Sequence, residues 1–144
     1  MSIQLVEILL VEDNPGDVDL TLEALEEAKL RNNVSVAKDG VEAMQFLRQE
    51  ESFSGAPRPD LILLDLNMPR MDGREVLEEL KADPDLKRIP VVVLTTSEAE
   101  QDVLDAYEHS ANAYIVKPVD FEQFFKTIKS LEEFWLTVVR YPNK

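Results

Sequence analysis

Residues 61–73 read LILLDLNMPRMDG. The four apolar side chains from Leu61 to Leu64 follow one another without a polar alternate, so this strand has no face for water. A short strand covered on both faces belongs to a parallel sheet, whose crossover helices lie on either side of it. The run ends on a carboxylate, Asp65, and passes into a loop carrying Pro69, Asp72 and Gly73. Working outward, similar apolar runs occur at Val6–Val11, Val34–Ala37, Val91–Leu94 and Ala113–Val116. Segments of helical periodicity separate them. The first runs from about Pro15 to Leu30, opened by Asn14-Pro15, with Val18, Leu22, Leu25 and Ala28 as its expected buried face. Others are expected at Gly40–Gln49, Arg74–Ala82, Glu98–His109 and from near Asp120 onward, with loops at 50–59 and 83–90. Five strands alternating strictly with five helices predict an α/β fold, a doubly wound five-stranded parallel sheet with right-handed crossovers.

Composition bounds what such a domain can do. The 144 residues suit one domain with a real core and are too few for two ordinary ones. Apolar residues at 44% and charged residues at 31% are those of a soluble globular protein, and no apolar run approaches the roughly 20 residues that span a bilayer. No membrane association is expected. The N-terminus MSIQLVEILLVED lacks the basic flank and long apolar core of a signal peptide, and there is no cysteine, so the expected location is cytoplasmic. With 29 acidic against 15 basic residues the formal charge is −14, which repels nucleic acid and anionic lipid.

In open α/β sheets ligands bind at the carboxyl ends of the strands. Here the first run ends in Glu12-Asp13, the third in Asp65, the fourth in Thr95 and the fifth in Lys117. Taken singly each has an ordinary reading: an acidic pair opening a helix, a turn former, an N-cap, a surface charge. At four strand ends of one sheet they converge. Three crowded carboxylates raise one another's pKa unless a cation sits among them, and Mg²⁺ suits oxygen ligands of this kind. A lysine and a hydroxyl opposite the acids make sense if a phosphoryl group is also held. Asp72-Gly73 is explained by turn chemistry. The sole histidine, His109, is accounted for by its place near a helix C-terminus and is expected to play no part in phosphotransfer.

The set VEDN (residues 11–14), LLDLNMPRMDG (63–73), LTTS (94–97) and YIVKP (114–118) resembles the receiver domain of two-component response regulators, over residues 5 to about 130. Thirty positions separate Asp65 from Thr95 and twenty-two separate Thr95 from Lys117, with Met68-Pro69-x-x-Asp72-Gly73 between. The resemblance implies a flavodoxin-like fold and makes Asp65 the acceptor of a phosphoryl group from a histidine kinase. It further implies that Glu12, Asp13, Asp65 and the backbone carbonyl of Asn67 bind Mg²⁺, and that Thr95 and Lys117 sense the phosphoryl group. Lys117-Pro118 matches a pair that carries a cis peptide bond in this family. Tyr114 matches the family's switching aromatic, whose inward turn changes the face made by the fourth helix, fifth strand and fifth helix. Thr96 stands where many receivers carry Ala, Gly or Ser, and its extra bulk predicts slower hydrolysis of the phosphorylated state.

Beyond the receiver, residues 1–130, the chain continues through SLEEFWLTVVRYPNK. Phe121, Phe124, Phe125, Ile128, Leu131, Phe134, Trp135, Val138 and Val139 recur at helical spacing, so the last helix is expected to run to about Val139, on the order of 30 Å. Its overhang, in the extension 131–144, would expose Phe134, Trp135, Val138 and Val139, an apolar patch of the kind that marks an interface, and a homodimer is expected there. The alternative is that the extension folds back onto its own domain. The ending EEFWLTVVRYPN is similar to that of small stand-alone response regulators serving cyanobacterial phytochromes, which implies a phytochrome-type kinase as phosphodonor and no output domain.

Two other functions share parts of this pattern. A haloacid dehalogenase-type phosphatase also uses a strand-end Asp with Mg²⁺, but needs a second Asp two residues on, where this chain has Asn67. A phosphorylation-independent receiver-like interaction module is favoured when the acceptor or acid pair is missing, and both are present. The expectation is therefore a phosphorelay protein that modifies itself and turns over no separate substrate.

Overall fold

The computed structural model describes residues 6–27, 32–66, 68, 71–95, 113–117, 120, 122–123 and 126–127, with Thr95 described by its backbone. Five strands, β1 (Val6–Val11), β2 (Asn32–Ala37), β3 (Leu61–Asp65), β4 (Val91–Thr95) and β5 (Ala113–Val116), form one sheet in the order β2-β1-β3-β4-β5. Every adjacent pair is parallel. Three α-helices lie among the described residues: α1 (Pro15–Glu27), α2 (Gly40–Leu47) and α3 (Gly73–Ala82). Residues 122, 123, 126 and 127 are also helical, in the segment that begins near Asp120. This is the five-stranded parallel, flavodoxin-like arrangement expected.

Leu61–Leu64 is covered on both faces of the sheet. Alternate residues of the central strands enter two separate cores: Leu9, Val11, Ile62, Leu64, Val91 and Val93 pack with α2 and α3 on one face. Ile8, Leu10, Leu61, Leu63, Val92 and Leu94 pack with Ala24 and Leu25 of α1 on the other. All five residues of β3 are buried. Burial on both faces leaves the strand ends as the only exits for polar groups. The chain leaves β1 in one direction to build β2 and in the other to build β3, so strand order reverses between β1 and β3. A crevice opens at such a switch point, and the residues that follow these two strands are Glu12-Asp13 and Leu66.

Several boundaries differ from the expectation, each for a local reason. In α1 the buried residues are Thr21, Ala24 and Leu25, while Leu22 is exposed, standing about 100° round the helix from Thr21. Burial thus follows the direction α1 faces, which apolar identity alone did not give; Ala28 lies outside the described residues. Helix α2 ends at Leu47, two residues early, because Gln49 adopts φ 55°. The loops at 50–59 and 83–90 each contain a single 3-10 turn, Glu51–Phe53 and Leu86–Arg88. β2 begins two residues before Val34. The expected helix Glu98–His109 and every residue of the apolar stripe from Phe121 to Val139 lie outside the described residues. Among the described residues no helix is long and apolar enough to cross a membrane.

Candidate functional site

Register brings the strand ends together. Val11 is paired with Leu64, Asp65 with Leu94 and Thr95 with Val116, so Glu12 and Asp65 end adjacent strands and Lys117 follows the last pair across the sheet. Carboxylate oxygens of Glu12, Asp13 and Asp65 lie within 4.8 Å of one another. Glu12 and Asp65 are buried, at 1% and 3% exposure, and Asp13 faces solvent. Lys117 closes the group. Its Nζ lies 2.7 Å from Glu12 Oε1, 2.9 Å from Asp17 Oδ2 and 3.4 Å from Asp65 Oδ1.

Such a cluster is electrostatically demanding. Burial of the Lys117 ammonium works against its charge, but the carboxylates of Glu12 and Asp17 beside it, together with the attraction of Asp65, outweigh that cost and hold its pKa above the ordinary lysine range. The lysine is therefore a fixed cation at any physiological pH. Glu12 is fully buried, and the partner of its Oε1 among the described residues is this ammonium, at 2.7 Å. One ammonium among the four carboxylates of Glu12, Asp13, Asp17 and Asp65 leaves an excess of negative charge that a further cation can offset. The donors here are carboxylate oxygens, the ligands that hard divalent ions prefer, so the site fits Mg²⁺ or Mn²⁺.

Asp17 is the acid that sequence reasoning missed. It sits in the first turn of α1, where an acidic residue is unremarkable beside the helix dipole. Its position is set by the expected cap: Asn14 Oδ1 accepts the Asp17 N–H at 3.0 Å, Asn14 O accepts the Val18 N–H, and the Asn14 N–H donates to Glu12 Oε2 at 3.3 Å. No sequence signal distinguishes an Asp used as a cap neighbour from one that also grips a lysine 100 residues away.

The loop after β3 is held by two glycines. A Cβ on Gly73 would stand 2.5 Å from Asp65 O and 2.7 Å from Leu66 Cα, and the Gly73 N–H donates to Leu66 O at 3.0 Å. A Cβ on Gly40 would overlap Met71 O, which accepts the Gly40 N–H at 3.0 Å. Asp72 is an N-cap, as its turn chemistry predicted: its Oδ1 accepts the N–H groups of Arg74 and Glu75, and Glu75 reaches back to the Asp72 N–H. Turn chemistry accounts for Gly73 only in part. Its further role is to let α3 start against the backbone of Asp65.

The other expected site residues divide as follows. The Thr95 backbone lies at the end of β4, next to β5, and its side chain is outside the description. Tyr114, on β5, is 37% exposed. Asn67, Thr96, Pro118, Phe134, Trp135, Val138 and Val139 lie outside the described residues.

The geometry can be set against known proteins. The family model for the response regulator receiver domain matches residues 8–129. Response regulator Rcp1 of Synechocystis sp. is 49% identical over 135 residues, which span 94% of this chain and 92% of that protein. The crystal structure of its Mn²⁺-bound form superposes with a TM-score of 0.77 at 48% identity, covering 93% of this chain and 96% of that one. The phosphorylated cyanobacterial phytochrome response regulator RcpA gives 0.78 at 51% identity, covering 94% and 96%. The parallel sheet, the acids at its switch point and these likenesses lead to one conclusion: the chain is a response regulator and belongs to the receiver-domain family, in which an aspartate carries the phosphoryl signal.

Proposed function

We propose that Asp65 is the phosphoacceptor of this response regulator. One observation carries the assignment: Asp65 is buried at the end of β3, with Lys117 Nζ 3.4 Å from Oδ1 and the oxygens of Glu12 and Asp13 within 4.8 Å. A carboxylate oxygen of Asp65 attacks the phosphorus, the phosphorus–nitrogen bond of a kinase phosphohistidine breaks, and the freed imidazole takes up a proton. Glu12, Asp13, Asp65 and the backbone carbonyl of Asn67 would hold Mg²⁺, whose charge would offset the like charges of nucleophile and phosphoryl group. Lys117 and the Thr95 hydroxyl hold the equatorial oxygens. Burial supports this division of labour, because donors aimed at developing charge act more strongly where water is excluded.

On this reading the chain catalyses only its own phosphorylation and dephosphorylation, and the signal leaves by a packing change rather than by turnover. Thr95 is drawn toward the phosphoryl group, and Tyr114, exposed in the unmodified protein, turns inward. That changes the face formed by the fourth helix, fifth strand and fifth helix. The resemblance to Rcp1 and to RcpA supports a phytochrome-type, light-regulated histidine kinase as donor. A homodimer contact is assigned to Phe134, Trp135, Val138 and Val139, and the working location is the cytoplasm. The test is intact mass after incubation with acetyl phosphate, with and without Mg²⁺. The expected result is a single Mg²⁺-dependent phosphoryl adduct on wild type and none on Asp65→Asn; an adduct that persists in Asp65→Asn refutes the assignment.

A further inference from the structure

β5 is an edge strand, and the N–H and C=O of Val116 require partners. Both find one in a single side chain. The Val116 N–H donates to Gln123 Oε1 at 2.9 Å, and Gln123 Nε2 donates to Val116 O at 2.8 Å. The carboxamide thus imitates the peptide group of a sixth strand. Gln123 is fixed in turn, because its own N–H donates to Asp120 Oδ1 at 2.8 Å in the first turn of the C-terminal helical segment. Val116 is paired through the sheet with Thr95 on its other side. The residue immediately before Lys117 is therefore anchored by Gln123 on the open edge and lies in register with Thr95 on the other side.

We propose that Gln123 is a positioning residue for Lys117, and so for phosphoryl transfer to Asp65; the inference rests on the assignment of Asp65 as acceptor. The physical need is plain. Lys117 ends in a compact charge on a flexible four-carbon stem, and its Nζ must reach three carboxylates within 2.7 to 3.4 Å. A long side chain holds such a geometry only if its backbone root is stationary, and Val116 is that root. No ordinary substitute makes the same clasp. Asn is one methylene shorter, and an ionised Glu offers acceptors only, which repel the Val116 carbonyl. A protonated Glu, by contrast, has one acceptor and one O–H donor in nearly the shape of the amide.

That contrast supplies the test. Phosphoryl-adduct formation from acetyl phosphate is followed by intact mass, at fixed Mg²⁺, for the full-length wild type, Gln123→Ala and Gln123→Glu, each rate divided by the wild-type rate at the same pH. The expected loss in Gln123→Ala is about tenfold at every pH. Gln123→Glu is expected to lose as much near pH 8 and to recover toward wild type only as pH falls through its titration range at about 4.3, so the series is carried down to about pH 4. A residue that merely stabilised the edge would shift the melting temperature and leave the relative rate of Gln123→Glu flat across pH; that result, or wild-type rates in both variants, overturns the proposal. If Gln123→Ala fails to fold, the pH response of Gln123→Glu still decides. A wild type that takes no adduct refutes the underlying acceptor assignment instead, and is told apart because the failure is then common to all three proteins.

Discussion

Among the described residues one ammonium offsets part of the negative charge of this site, and its removal has a calculable consequence. Without Lys117, the buried acids Glu12 and Asp65 lose the cation that lies nearest them among the described residues. Breaking a buried ion pair from one side costs about 3 kcal/mol, and Lys117→Ala is expected to lose roughly that in urea denaturation when Mg²⁺ is absent. Added Mg²⁺ should return much of the loss, because it takes over the same oxygens; a Lys117→Ala protein as stable as wild type in chelator would show that the lysine balances nothing. The pH dependence follows from the raised pKa. Stability from this group is fully present below the ordinary lysine value of about 10.4 and is lost only as pH rises beyond it, toward the elevated folded-state value. Wild-type stability should therefore not decline through Lys117 between neutral pH and about pH 10. At this scale the sequence was legible where a polar residue ended an apolar run, as at Glu12, Asp65 and Lys117. It was silent on Asp17 and Gln123, whose partners are 100 and 7 residues away and follow from no periodicity.

Elements carry a different kind of constraint, visible in the passage from β3 to α3. Asp72 and Gly73 are neighbours with separable duties: one caps the helix, the other allows it to start against the Asp65 backbone. Asp72→Ala is expected to cost about 1 kcal/mol of stability and to leave the phosphoryl adduct intact. Gly73→Ala forces backbone aside, for about 1–3 kcal/mol, and because the atoms displaced are Asp65 O and Leu66 Cα it should also slow phosphorylation. Adduct formation at the wild-type rate in Gly73→Ala would show that the loop absorbs the methyl without moving the acceptor. Strand positions were legible because burial on both faces writes an unbroken apolar run. Helix faces were less so. α1 buries Thr21 and exposes Leu22, since a helix on a sheet is oriented by its neighbours as well as by its own composition.

For the whole molecule, alternation of strands and helices predicts the parallel sheet, but not the strand order that sets the crevice between β1 and β3, because similar apolar strands do not say which of them are neighbours. The proposed dimer also belongs to this scale, where two terms oppose each other. The apolar stripe ending in Phe134, Trp135, Val138 and Val139 favours association, while each partner brings a formal charge of −14. Like-charged surfaces repel over about 10 Å at 0.1 M salt and over about 30 Å at 0.01 M. Raising ionic strength should therefore strengthen the dimer, both by screening this repulsion and by leaving the apolar contact untouched. Light-scattering mass across a dilution series is expected to fall from dimer to monomer at a higher protein concentration in low salt than in high salt, and Trp135→Ala should move the midpoint higher still in both. A contact made of ion pairs would weaken with salt instead, which would reject the apolar stripe as its basis. A mass that stays monomeric at every concentration and salt would mean that the extension covers its own domain, and that the phosphorylation signal does not pass through association of two copies.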